Sequence, residues 1–98
     1  MYVAKPKTLG RFSRKSLPTT LNYFLSQKIE LKGTGAWRDA LCPFHEDTKP
    51  SLRVNIDRGG YRCMACGARG GDVLAFHMHR YGLDFIEAAK QLKAWVAL

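Results

Sequence analysis

The sequence predicts an α+β fold in which a small antiparallel β-sheet is flanked by one N-terminal helix and two C-terminal helices. Apolar residues recur at helical spacing near the start of the chain and again in its last third. Between these segments, short stretches alternate apolar and polar residues and are separated by glycine-containing turns. Cysteine and histidine pairs stand where two of the predicted strands end. The sequence contains no internal repeat, and no second domain is predicted.

The first 17 residues are predicted to be a flexible basic arm. They carry five Lys and Arg side chains and no acid, and Pro6, Gly10 and the following Pro18 interrupt any regular periodicity. Such an arm is either a frayed, solvated terminus or a segment that contacts phosphates, and both alternatives predict disorder in the free protein. Residues 18–98 are predicted to form the domain itself.

A helix and a hairpin are expected to open this domain. The helix is predicted over about residues 19–27, because Pro18, Thr19 and Thr20 make a helix start and apolar residues follow at helical spacing. Residues 28–32 alternate charged and apolar side chains, and the turn at 33–35 leads into a second extended run at 36–41. These two runs are predicted to pair.

A second hairpin follows in the middle of the chain. Residues 51–56 alternate, and their apolar face consists of Leu52, Val54 and Ile56. The turn at 57–60 contains two glycines and directs the chain back into residues 61–63. The middle of the chain is therefore predicted to be antiparallel β-structure.

The last third of the chain is predicted to form two helices. The first covers residues 73–81, between a cap at Asp72 and a stop at Gly82. The second begins with a capping box at residues 84–87. Its apolar face consists of Phe85, Ala88, Ala89, Leu92 and Val96, a pattern typical of core packing.

Four residues are predicted to bind one structural zinc ion: Cys42, His45, Cys63 and Cys66. They form a CxxH pair and a CxxC pair that are separated by seventeen residues. Two intervening residues allow a tight turn to direct both side chains at one point, so each pair forms a knuckle and two knuckles complete a tetrahedron. Because each knuckle follows a predicted strand, the pattern predicts a small zinc ribbon on the antiparallel sheet. Metal removal is expected to unfold it.

The pattern argues against a catalytic metal. A catalytic zinc keeps one coordination position open for water, whereas four protein ligands close this site. Zinc deaminases need HxE before PCxxC, but here Glu46 directly follows His45 and no proline precedes Cys63. A second metal site at His77 and His79 is not expected, since side chains two positions apart on a helix point about 200° apart. No catalytic residue and no small-molecule substrate are predicted.

Composition and charge favour an anionic partner in a reducing compartment. The formal net charge is +8, from sixteen Lys and Arg against eight Asp and Glu, which is compatible with nucleic acid but also common among small soluble proteins. No apolar run approaches the roughly 20 residues that a membrane helix needs. Three cysteines in CxxH and CxxC pairs favour metal thiolates over disulfides. A cytoplasmic protein without a membrane partner is expected.

The stretch from Leu41 to Leu92 resembles the CHC2 zinc-binding domain of bacterial DnaG-type primases. The resemblance rests on Cys42-Pro43-Phe44-His45, Lys49-Pro50-Ser51-Leu52, Tyr61-Arg62-Cys63, Cys66-Gly67 and Gly71-Asp72. More loosely it covers about residues 19–96. It differs at Leu52 and Met64, where the family often has aromatic residues, which makes a stacking contact weaker. The long basic arm indicates a phage, plasmid or mobile-element version.

The resemblance implies a function as well as a fold. In that family the domain helps a primase to engage its single-stranded DNA template and to choose the start site, while polymerisation takes place in a separate TOPRIM-type domain. The chain is therefore expected to bind single-stranded DNA, to work with a primase catalytic subunit or a replicative helicase, and not to synthesise primers alone. A zinc-ribbon adaptor that binds a protein of a replication or mobile-element complex is the alternative.

The residues predicted to contact nucleic acid lie mainly in the β-region. They are Arg38, Lys49, Arg53, Arg58, Tyr61, Arg62 and Arg69, with Trp37 as a further aromatic candidate. Strand alternation predicts that Arg53 and Arg62 face solvent. It also leaves an open question, because an aromatic face and a basic face on opposite sides of one strand would not form one groove. Each arginine could equally belong to a solvated sheet face, and each aromatic residue to the core.

Overall fold

A computed structural model describes residues 9–97 of the chain and confirms the α+β class. It contains six strands: β1 (Gly10–Phe12), β2 (Trp37–Ala40), β3 (Leu52–Asn55), β4 (Tyr61–Cys63), β5 (Arg69–Gly70) and β6 (Trp95–Ala97). It also contains three α-helices: α1 (Thr20–Ser26), α2 (Val73–Tyr81) and α3 (Phe85–Gln91). A short 3₁₀ turn covers Arg14–Ser16.

The central sheet has four antiparallel strands in the order β2-β3-β4-β5. Its inner face carries Leu52, Val54 and Tyr61, which are at most 3% exposed. Helices α1 and α2 cover this face, and the rings of Phe24 and Phe76 meet there with centroids 4.7 Å apart. The strict alternation in β3 thus gives the sheet one buried and one exposed face.

The predicted helix starts are confirmed by their caps. The side chain of Thr19 accepts a hydrogen bond from Asn22 N–H, Asp72 from Ala75 N–H, and Asp84 from Glu87 N–H. These bonds satisfy backbone donors that have no partner within the first helical turn. Helix α2 ends at Gly82, whose φ of 63° is a left-handed conformation that glycine adopts without a steric penalty.

The first predicted hairpin is reduced to a single bridge between Lys32 and Asp39. Residues 28 and 29 do not pair with the sheet, because their N–H groups bond to the carbonyls of Leu25 and Phe24 and end α1. Lys28 accordingly has a φ of 59°. The end of the helix therefore displaces the strand that alternation predicted.

The prediction that residues 1–17 form a flexible arm is corrected for residues 10–12. Gly10–Phe12 pairs antiparallel with Trp95–Ala97 in a separate two-stranded sheet, and Phe12 packs edge-on against Phe85 at 5.1 Å. A three-residue strand is too short for periodicity to reveal. The first eight residues of the predicted arm lie outside the described residues.

The last predicted helix is also shorter than expected. It ends at Gln91, Lys93 adopts a φ of 60°, and Val96 lies in β6 instead of on the helix. Val96 leaves the helix because β6 pairs with β1. The local pattern could not reveal this, since the partner strand lies near the other end of the chain. None of the helices within residues 9–97 has the length and apolar character to cross a membrane.

Candidate metal centre and the adjoining sheet face

The four predicted ligands converge on one point. Their ligand atoms all lie within 4.8 Å of one another. Cys42 Sγ lies 3.9 Å from Cys66 Sγ, and His45 Nε2 lies 3.4 Å from Cys63 Sγ. Zinc–ligand bonds of about 2.0–2.3 Å in a tetrahedron separate ligand atoms by about 3.5–3.8 Å. The donor set and its spacing therefore fit a single zinc ion.

Backbone geometry around Cys63 forms the second knuckle. Cys63 is the last residue of β4, and the N–H groups of Ala65 and Cys66 point back at its sulfur, 3.4 and 3.3 Å away. Gly67 completes the turn with a φ of 82° and donates its N–H to the Cys63 carbonyl at 3.0 Å. The turn thus directs Cys66 towards the same point as Cys63.

The first knuckle is held by hydrogen bonds to its histidine and its backbone. His45 Nδ1 lies 3.0 Å from the carbonyl oxygen of Glu46. This bond assigns the ring proton to Nδ1 and leaves the lone pair of Nε2 for a metal. On the other side, Asp47 accepts from Cys42 N–H at 2.9 Å, and from the N–H and hydroxyl of Ser51 at 3.2 and 2.8 Å.

Asp47 is a functional residue that sequence reasoning missed. Its carboxylate joins the first knuckle to the start of β3, and the N–H of Cys42 makes the largest contribution to holding its pKa below the usual value. The only sequence signal is an acid four residues before a serine in a polar loop, which is too common to identify such a role. The structure alone brings these groups together.

The two buried thiols differ in their acidity. Burial raises the pKa of Cys42 to about 12. Burial also acts to raise the pKa of Cys63, but donation from Ser51 and from the N–H groups of Cys66 and Ala65 outweighs it and lowers that pKa to about 5. Cys63 is thus prepared as a thiolate, while Cys42 must lose its proton when a cation binds.

The outer face of the sheet carries a row of arginines. Register pairs Asp39 with Arg53, Arg53 with Arg62, and Arg62 with Arg69, across all four strands. All four of these side chains are exposed, which confirms that Arg53 and Arg62 face solvent. Arg53 Nε donates to Asp39 Oδ1 at 2.9 Å. We call Arg53, Arg62 and Arg69 the arginine row.

An aromatic residue lies on the same face as the arginine row. Trp37 is 48% exposed and, together with Arg53, Arg62 and Met64, borders an open cavity of about 260 Å³. Trp37 and Asp39 are two residues apart on β2 and so point to the same side. This answers the question that alternation left open, because Trp37 and not Tyr61 accompanies the basic face.

The other residues predicted to contact nucleic acid lie elsewhere. Tyr61 is a correction: it is 3% exposed in the core, and its hydroxyl lies 3.4 Å from His79 Nδ1, so its ring offers no open face to a base. Arg38 pairs with the buried Val54 and is directed to the opposite side of β2, where its Nε donates to the Gly35 carbonyl. Lys49 and Arg58 are exposed in loops.

The two histidines of α2 differ as expected. His77 is buried and lies 2.8 Å from the Tyr23 hydroxyl and 2.7 Å from Gln91 Oε1, so it connects the three helices. His79 is exposed and stacks on Phe44 of the first knuckle with centroids 4.1 Å apart. Within residues 9–97, the side chains that could together hold a metal ion are those of Cys42, His45, Cys63 and Cys66.

A closed site of three cysteines and one histidine, between two knuckles at strand ends, defines a structural zinc ribbon. Comparison with known families identifies the family to which this zinc ribbon belongs. Residues 16–98 match the family model described as the CHC2 zinc finger. The chain belongs to the CHC2 zinc finger family, and Cys42, His45, Cys63 and Cys66 form its zinc site.

Similar proteins include bacterial primases and a phage protein. The chain is 43% identical over 68 residues to a DNA primase of Pseudomonas putida and 41% identical over 68 residues to one of Clostridium acetobutylicum. These matches cover 69% of this chain and only 10–11% of those primases. Gene 58 protein of Mycobacterium phage D29 is 44% identical over 54 residues, which is 55% of this chain and 41% of that protein.

A solved structure shares the fold. The zinc-binding and RNA polymerase domains of the Aquifex aeolicus primase match with a TM-score of 0.64 and 28% sequence identity. The match covers 76% of this chain and 18% of the primase chain. The likeness thus extends over most of the described fold, while the chain spans a small part of the relatives' length.

Proposed function

We propose that this chain binds single-stranded template DNA for a primase system, through the outer face of the four-stranded sheet. The single observation that carries the proposal is the arginine row beside Trp37. Directly opposed like charges on neighbouring strands destabilise a sheet, yet Arg62 stands between Arg53 and Arg69 in register. An anionic ligand on this face offsets that repulsion.

Ion pairing divides the cations of this face into two groups. Within residues 9–97, Arg53 pairs with Asp39, whereas Arg62 and Arg69 have no carboxylate within ion-pair distance. These two exposed guanidiniums are free to bind phosphates in a bidentate manner. We therefore assign the phosphate backbone to Arg62 and Arg69, with the exposed Lys49 and Arg58 adding to the attraction from the loops.

Trp37 supplies the other component of a single-strand site. Stacking of a base on an aromatic side chain contributes about 1–3 kcal/mol and tolerates any sequence. With its ring half exposed next to Arg53 and Arg62, Trp37 offers such a platform within reach of the phosphate contacts. The family membership supports DNA of a primase system as the ligand, and a primase catalytic subunit or replicative helicase as the protein partner.

A zinc-ribbon adaptor is the second candidate function, and one observation favours it. On the side of α1 away from the core, Leu21 and Leu25 are 49% and 75% exposed, and they border a groove with Ile29. Exposed apolar side chains that adjoin one another are typical of protein-binding surfaces. Measuring the affinity for single-stranded DNA separates this function from the first.

The DNA-binding function is tested by fluorescence anisotropy with labelled single-stranded and duplex DNA at several salt concentrations. We expect the pair Arg62→Ala and Arg69→Ala to lower affinity for single strands and to reduce the salt slope by about 0.7 for each lost phosphate contact. Each single arginine variant is compared with Lys90→Ala, which also removes one positive charge and lies on α3, whose main contacts are with α2 and β6.

Two results would count against this assignment. An unchanged salt slope in the double variant would remove the arginine row from the interface. Wild-type protein that does not bind single strands at micromolar concentration and moderate salt would instead favour the adaptor.

A further inference from the structure

The cavity beside Trp37 differs from the rest of the basic face because side chains from three different strands border it. Trp37 comes from β2, Arg53 from β3 and Arg62 from β4, and Met64 follows directly after β4. Its volume of about 260 Å³ lies below the roughly 300–1,000 Å³ of pockets that enclose drug-sized ligands. A single planar base between an indole and a thioether suits it.

The ion pair with Asp39 makes Arg53 unlike the other arginines of the row. Its Nε–H is donated to Asp39 Oδ1, which favours one orientation of the side chain and leaves its terminal N–H groups available. A carboxylate 2.9 Å away also cancels most of its attraction for a phosphate and repels that phosphate. Arg53 is therefore better suited to the uncharged edge of a base.

The hydrogen-bonding character of the cavity selects among the bases. Both arginines and the Trp37 indole are donors without acceptor capacity, and the Met64 thioether is at most a weak acceptor. Guanine presents two adjacent acceptors, N7 and O6, on one edge, whereas adenine presents N7 beside an N6 amino group that would oppose a donor. A purine also covers more of the indole than a pyrimidine does.

We propose that this cavity binds one guanine base of the single strand, stacked on Trp37 and read at N7 and O6 by the terminal nitrogens of Arg53. Asp39 is the positioning residue for Arg53. This inference rests on the proposed function, because it names the base that the proposed DNA-binding face reads and the residues that read it.

The test is anisotropy with labelled dT₁₂ in which one central position is dT, dG, dA or dC. We expect wild-type protein to bind the dG strand about tenfold more tightly than the dA strand, as one good bidentate contact provides. Replacing dG by 7-deazaguanine removes N7 and should abolish the preference, while inosine retains N7 and O6 and should keep it.

Protein variants locate the preference. Arg53→Lys keeps the charge but removes the planar fork, so the dG-to-dA ratio should fall to about one. Asp39→Asn should lower the same ratio, which a merely structural role would not do, provided that zinc content and the circular dichroism spectrum match wild type. Lys90→Gln, which lies outside this face, should retain the preference.

The possible failures are distinguishable. Equal affinity for the dG and dA strands, or a preference for dC, would overturn the guanine pocket while leaving the proposed function intact. Absence of binding to every strand would overturn both.

Discussion

At the scale of single residues, Asp47 shows how a zinc ribbon depends on groups that do not touch the metal. One carboxylate oxygen accepts three hydrogen bonds, from the backbone of Cys42 and from both donors of Ser51. Ser51 in turn lies 3.5 Å from Cys63 Sγ. Asp47 and Ser51 therefore connect Cys42 of the first knuckle with Cys63 of the second.

We predict that Asp47→Ala lowers zinc affinity by about 10- to 100-fold, because residues that orient metal ligands typically have effects of this size. The substitution also leaves the Cys42 N–H without its acceptor, which costs about 1–3 kcal/mol of folding free energy. Competition with a chromophoric zinc chelator measures the affinity. Glu46→Ala is the matched control, since the neighbouring Glu46 side chain is exposed. Equal affinities in both variants would contradict the role of Asp47.

Single aromatic residues were the least predictable. Tyr61 and Trp37 both lie in short strands, and local pattern leaves open which of them is buried. The partner strands decide: Tyr61 pairs with Val54 on the inner face, whereas Trp37, on the edge strand β2, pairs with Asn55. The site that we propose for a base therefore depends on sheet register, which is a property of several strands together.

At the scale of elements, capped helices and the second hairpin followed from sequence, and the paired chain ends did not. A cap needs only a side chain and the next turn of backbone, as at Thr19, Asp72 and Asp84. Strand β1, by contrast, exists because residues at the far end of the chain pair with it. Such pairing has almost no local signal when only three residues take part.

A glycine in β1 gives a direct test of this pairing. A Cβ at Gly10 would lie 2.5 Å from the Val96 carbonyl oxygen and 2.6 Å from Trp95 Nε1. We predict that Gly10→Ala lowers the free energy of unfolding by about 1–3 kcal/mol, as overpacking does. In a domain of this size, 1 kcal/mol shifts the melting temperature by about 4–8 °C.

The measurement is thermal unfolding followed by circular dichroism with saturating zinc. Gly35→Ala is the matched control, because a Cβ at Gly35 meets nothing within 4 Å. Equal melting temperatures for the two variants would mean that β1 does not pair with β6 in solution.

At the scale of the whole molecule, the zinc site compensates for a small core. Most of the largest buried side chains, among them Phe24, Phe76 and Leu52, belong to one cluster that also contains the ligands Cys42 and Cys63. The metal site is thus continuous with the core instead of being attached at its edge. Losing the metal removes the cross-link between the ends of β2 and β4, which are joined through Cys42 and the Cys63–Cys66 knuckle.

We predict that zinc removal unfolds the domain. Structural zinc contributes on the order of 10–16 kcal/mol of apparent binding free energy, which is comparable to the whole stability of an ordinary domain, roughly 5–15 kcal/mol. Titration with a strong chelator should abolish the cooperative thermal transition, and added zinc should restore it. A metal-free protein that retains a cooperative transition would contradict this prediction. Because unfolding also abolishes DNA binding, a Cys63→Ser variant reports on folding and not on DNA contact.

The sequence by itself determined the metal ligands, the class of the fold and the family, because each depends on residue types at short, fixed spacings. CxxH and CxxC, three helix caps and one strictly alternating strand are complete within a few residues of chain. Tertiary structure alone decided that Asp47 supports both knuckles, that the chain ends pair, and that Trp37 lies beside the arginine row. The paired chain ends and the Trp37 face join residues that are distant in sequence, and the link from Asp47 to the second knuckle runs through the contact of Ser51 with Cys63. Only the register and packing of the folded chain fix which of these residues meet.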